Sequence, residues 1–142
     1  MNSSALVVDA SVAVKWVFDE PDSGLAKSLQ ARRLLAPDLL LLECSSVIWR
    51  NVATGHLAPG GVPEALAILR TAPVQLTAVG PLLDDILRYA TLLRHPVYDC
   101  AYLALAALNG LRVVTADRRF VRAVSADHSL ARHIVLLADL AH

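Results

Sequence analysis

Charge of one sign, cysteine and long apolar runs are all scarce in this chain, and each shortage narrows what the protein can be. Thirteen Lys and Arg balance 13 Asp and Glu, so the zero net charge does not by itself advertise a nucleic-acid partner. Two cysteines, Cys44 and Cys100, are too few for a disulfide framework and stand in no metal-ligand spacing. They read as reduced packing residues. The apolar stretch Ala101 to Leu108 falls far short of the roughly 18 residues a membrane span requires. Met1-Asn2-Ser3-Ser4 carries no positive region, and Asp9 interrupts the apolar run behind it, so a secretory signal is not expected and a cytoplasmic location is.

Apolar residues, by contrast, are abundant: 56% of the chain, against 18% charged, with a mean hydropathy of +0.50. That exceeds what a soluble monomer needs and implies an apolar surface reserved for a partner. A homodimer is expected, through Ile48, Trp49 and Val52 on one helix and Leu82, Leu83 and Ile86 on another. At 142 residues, with no linker, repeat or low-complexity tract, the chain reads as one domain over 1–142.

Strand and helix signals alternate. Strands are expected at about Ala5 to Asp9, Leu34 to Ala36, Val74 to Val79, Arg112 to Thr115 and Ile134 to Leu137. Helices are expected from Ser11 through Val17, from Gly24 to Arg32 behind an Asp22 or Ser23 cap, and from Pro37-Asp38 to Thr54, closed by Gly55. Further helices should run from Pro63 to Arg70, Pro81 to Leu93, Asp99 to Leu108 and Arg118 to Val124, with His95-Pro96 as a break. Apolar, largely non-alternating strands joined by helices indicate an α/β parallel sheet covered on both faces.

Four carboxylates stand out against this pattern. Asp9 and Asp117 follow the apolar strands Leu6-Val7-Val8 and Val113-Val114-Thr115, at the edge where open α/β sheets place their ligands. Glu43 and Asp99 lie on apolar helical faces, where Leu39, Leu40 and Val47 or Tyr102 and Leu103 are the helical neighbours. A lone carboxylate there would be costly to ionise. Clustered carboxylates stay charged when a hard cation such as Mg²⁺ or Mn²⁺ neutralises them, so the set points to a metal-dependent phosphoryl-transfer site. Helix capping is the plainer alternative for Asp9 and Asp117.

The ordered segments Val7-Val8-Asp9-Ala10-Ser11-Val12, Ala36-Pro37-Asp38-Leu39 through Glu43, Pro96 through Ala106 with Tyr98-Asp99-Cys100, and Val114-Thr115-Ala116-Asp117-Arg118-Arg119-Phe120 resemble the PIN domain, specifically the VapC type of toxin ribonuclease. The likeness spans nearly the whole chain, and the ordered set is specific where single pieces are not. It implies a three-layer fold with a central parallel five-stranded sheet flanked by helices. It also implies Mg²⁺ (or Mn²⁺) held by Asp9, Glu43, Asp99 and Asp117, with Thr115 lining the site. An RNA substrate and a cognate VapB-like antitoxin follow from the same resemblance. Cysteine after both Glu43 and Asp99, where the family commonly has small aliphatic residues, raises the expectation of a site sensitive to thiol reagents.

Residue chemistry adds supporting roles. Ser11, at a helix start beside Asp9, reads as a cap or hydrogen-bond donor to the site. Lys15, Arg118 and Arg119 are candidate RNA phosphate contacts, and Trp16 and Trp49 are either base-stacking or packing residues. None of the five histidines is assigned a catalytic role. A phospho-receiver would need a lysine on a late strand, and only Lys15 and Lys27 exist. A haloacid-dehalogenase-like phosphatase would show Asp-x-Asp where this chain has Asp9-Ala10-Ser11. Two alternatives remain: a PIN-fold interaction module without catalysis, or a Mg²⁺-dependent nuclease acting on DNA.

Overall fold

The computed structural model describes residues 5–140; Met1 to Ser4, Ala141 and His142 lie outside them. Five strands, β1 (Leu6–Val8), β2 (Leu34–Pro37), β3 (Val74–Thr77), β4 (Val113–Thr115) and β5 (Ile134–Leu136), form one sheet in the order β3-β2-β1-β4-β5. Every pairing is parallel. All residues of β1, β2 and β4 are buried, which is why these runs read as continuously apolar and not alternating. Edge strand β3 leaves Gln75 and Leu76 exposed and ends at Thr77, two residues short of the expected Val79.

Seven helices join the strands: α1 (Ala10–Ala13), α2 (Ser23–Ser28), α3 (Leu40–Ala53), α4 (Val62–Thr71), α5 (Leu83–Leu93), α6 (Val97–Leu108) and α7 (Arg118–Ser125). Helix α6 is buried from Cys100 through Ala106, as an apolar-all-round helix must be. Helix α3 buries only Leu40, Cys44 and Ile48, a stripe spaced every four residues, and turns Leu42 and Trp49 outward. The first helix is shorter than its pattern promises: α1 tightens into a 3-10 turn at Val14–Trp16. Pro37 ends β2 and does not open α3, since its fixed φ suits the extended strand as well. Pro96 precedes α6 with φ −55° and ψ 142°, so the helix begins at Val97 and Asp99 falls in its first turn.

Of the residues assigned to a dimer face, Ile48, Leu82 and Ile86 are core, whereas Trp49 and Leu83 are exposed. No described helix is long and apolar enough to cross a membrane. The sheet order changes direction between β1 and β4, and a crevice opens there at the carboxyl edge of both strands.

Candidate active site

Asp9 leaves β1 in extended conformation and caps α1. Its Oδ1 accepts hydrogen bonds from Ser11 Oγ at 2.6 Å and from the Val12 amide at 3.3 Å. Ser11 is the hinge of a wider network: its Oγ lies 3.2 Å from Thr115 Oγ1 and accepts from the Ala116 amide at 2.9 Å, tying the end of β1 to the end of β4. The fully buried Thr115 in turn accepts from the Asp117 amide at 3.1 Å. Asp9 is only 5% exposed. Burial pushes its carboxyl from the usual 3.8 up to about 7, against the lowering effect of Ser11 and Thr115, and the charge of Asp99 adds to the rise.

Glu43 projects from the first turn of α3 and accepts a 2.6 Å hydrogen bond at Oε1 from the Tyr102 hydroxyl of α6. Burial raises its pKa; Tyr102 opposes and Asp99 reinforces the rise. Tyr102 is buried and its own pKa is raised, by burial and by Glu43, so it remains a neutral donor. Asp99 Oδ2 lies 2.7 Å from His95 Nε2. The His95 side chain is 7% exposed and stacks on Phe120, with ring centroids 5.0 Å apart and planes 8° from parallel. Asp117 caps α7 by accepting from the amides of Arg119 at 2.9 Å and Phe120 at 3.4 Å.

Asp9, Glu43, Asp99 and Asp117 line one cleft of about 220 Å³, together with Ser11 and Tyr102. No Lys or Arg lines it, and none of the four acids is ion-paired to a Lys or Arg among the described residues. Acidic oxygen donors without a basic counter-charge, one of them with its pKa raised by burial, are chemically suited to a hard divalent cation. The side chains do not already close around one. Among the described residues no three His, Cys, Asp or Glu groups converge as ligands. Three of the acids are held by other partners: Tyr102 holds Glu43, His95 holds Asp99 and the α7 amides hold Asp117, each through one oxygen. The second oxygens of these three acids make no protein hydrogen bond among the described residues.

The basic and aromatic candidates fare differently. Lys15 is buried, its Nζ donating to the Pro21 carbonyl at 2.8 Å and to Glu20 Oε1 at 3.3 Å, so it is committed to its own loop. Arg118 and Arg119 are exposed at the start of α7. Trp16 is core, its indole donating to the Ala26 carbonyl at 2.8 Å, and offers no stacking face; Trp49 is exposed. Cys44 and Cys100 are free and fully buried, with thiols pushed up by burial to about 12 and about 11. Burial and the raised thiol pKa both argue against the expected sensitivity to thiol reagents.

Two residues beside the acids, His95 and Tyr102, were passed over in the sequence. The spacing of four from His95 to Asp99 and of three from Asp99 to Tyr102 was the available signal.

This sheet order and acid-lined crevice define a class, and the comparisons agree with it. A model of the PIN domain matches residues 6–125, and the chain belongs to the PIN domain family. Within it, the chain is 31% identical over 120 residues to Ribonuclease VapC3 of Pyrobaculum aerophilum, covering 80% of this chain and 90% of that protein. The fold is similar to the crystal structure of PAE2754 from Pyrobaculum aerophilum, with a TM-score of 0.73 at 19% identity over 97% of this chain and 93% of the other. It is also similar to VapC20 of Mycobacterium tuberculosis, described as a toxin that cleaves the sarcin-ricin loop, with a TM-score of 0.63 at 21% identity over 84% and 95% of the two chains.

Proposed function

We propose that this protein is a metal-dependent endoribonuclease of the VapC type, hydrolysing RNA phosphodiester bonds in the cytoplasm and silenced by a VapB-like antitoxin. The observation that carries the reading is that four acids, from four separated segments, line one cleft without a basic residue. Asp9 and Asp99 would hold Mg²⁺ or Mn²⁺, with Glu43 and Asp117 joining directly or through water. The chemistry such an ion supplies when bound is Lewis acidity, which activates water and offsets charge at the phosphoryl group. Tyr102 orients Glu43 and His95 orients Asp99, so both carboxylates enter the reaction with restricted freedom. Ser11 and Thr115 keep Asp9 nearer its ionised form than burial alone would allow. Attack by water in line with the leaving 3′ oxygen leaves 5′-phosphate and 3′-hydroxyl ends.

The same acids account for silencing. One antitoxin Arg can pair bidentately with two carboxylates and compete with the cation.

Purified protein incubated with total RNA should cut it with Mg²⁺ or Mn²⁺, stop on chelation and leave 5′-phosphates. Asp99→Asn should lower the rate by more than about a hundredfold while the protein still melts cooperatively. Cleavage by Asp99→Asn at the wild-type rate would remove the site from contention. Single-stranded DNA in the same assay separates the two nuclease readings.

A further inference from the structure

The acid cleft continues past Glu43 into a second hollow of about 430 Å³. Ala10, Glu43 and Val47 belong to both, while Leu42, Arg50 and Tyr98 belong to the second alone. Arg50 stands seven residues beyond Glu43, on the same face of α3 and about 10 Å farther along its axis. Its guanidinium forms no hydrogen bond or ion pair among the described residues, although it is one of the few polar groups in this wall. Tyr98 immediately precedes Asp99 and is 66% exposed, at the open end of a helix that is buried from Cys100 through Ala106. Leu42 completes an apolar wall beside it, 77% exposed.

A flat aromatic ring, an aliphatic neighbour and an unpaired guanidinium, in line with a carboxylate cluster, match the parts of a nucleotide. The base has a face to stack and the phosphate a charge to neutralise. A purely apolar occupant would suit the neighbouring groove of Ile48, Val52, Val62 and Leu66 better, because here it would cover Arg50 without neutralising it.

We infer that this hollow is a nucleotide subsite of the substrate strand. A base next to the scissile phosphate unstacks onto Tyr98, and the phosphate beyond it reaches Arg50. The inference rests on the ribonuclease reading, so the test begins with the wild type on single-stranded RNA of randomised sequence. If the wild type shows no metal-dependent cleavage, the ribonuclease reading fails and the subsite goes with it.

Given cleavage, Tyr98→Leu should lower kcat/KM roughly tenfold or more, while Tyr98→Phe stays within about twofold. Sequencing the cut ends should show that Tyr98→Leu loses the base preference at one position beside the break. Arg50→Ala should weaken cleavage of all sequences and flatten its salt dependence, and Arg50→Lys should recover part of both. The Mg²⁺ concentration for half-maximal rate should stay at the wild-type value throughout. Wild-type kcat/KM and cut pattern in Tyr98→Leu would mean that the hollow docks something other than RNA. A shifted Mg²⁺ requirement would make Tyr98 a support for Asp99. Either result overturns the inference.

Discussion

Asp9 faces opposed demands: its helix cap and its bonds from Ser11 and Thr115 favour a carboxylate there, yet its burial and the charge of Asp99 oppose ionisation. Because the folded pKa, about 7, lies above the usual 3.8, the native state binds the proton more tightly than the unfolded chain. The stability this contributes is present in full below about pH 4 and is lost as pH rises through 7. In chelator, wild-type melting temperature should therefore fall across that window, by the equivalent of a few kcal/mol. Asp9→Asn, which keeps a good cap, should flatten the fall and melt no lower than wild type at pH 8. A clearly lower melting point for Asp9→Asn at pH 8 would show that the fold favours the ionised acid. The acids were legible in the sequence because a charge on an apolar face announces itself locally. Tyr102 was not, since its partner Glu43 lies 59 residues away and an aromatic on a buried helix reads as packing.

Elements were legible where composition and period agree. The buried strands and α6 are continuous apolar runs, and α7 follows an Asp cap. Boundaries shifted where backbone geometry overruled pattern, as at Pro37 and Pro96. In the sequence, the turn between α5 and α6 is legible only as a break at His95-Pro96. Helix α5 ends with Arg94 in the left-handed region at φ 52°, a conformation the sequence gives no reason to expect from an arginine. That turn brings His95 back over Phe120 and against Asp99. The left-handed conformation costs an L-residue about 1–2 kcal/mol, partly offset by the greater chain entropy glycine loses on folding. Arg94→Gly should consequently raise the melting temperature by up to a few degrees with cleavage unchanged, and Arg94→Val should lower it. Equal melting points for the three proteins would show that the turn carries no strain.

At the scale of the molecule, the apolar excess is only partly absorbed by the core. Trp49 remains 67% exposed beside a groove of about 350 Å³ lined by Ile48, Val52, Val62 and Leu66. Leu83 and Leu87 are also half exposed. We propose that a second copy covers some of this surface. Sedimentation at micromolar concentration should give twice the 15.2 kDa of one chain, and Trp49→Glu should return it to one. A wild-type mass of one chain would sink the dimer.

The Ser11 bonds to Thr115 and Ala116 join positions 104 and 105 residues apart, and β1 gains its β4 neighbour through the same late segment. Ribosomes add about 5–20 residues per second, so for roughly 1–3 seconds a nascent chain carries Asp9, Glu43 and Asp99 without the strand that closes the cleft around them. Asp117 leaves the exit tunnel later still. The cleft is thus a late product of synthesis: three of its acids wait, unassembled, for the strand and the fourth acid that complete it.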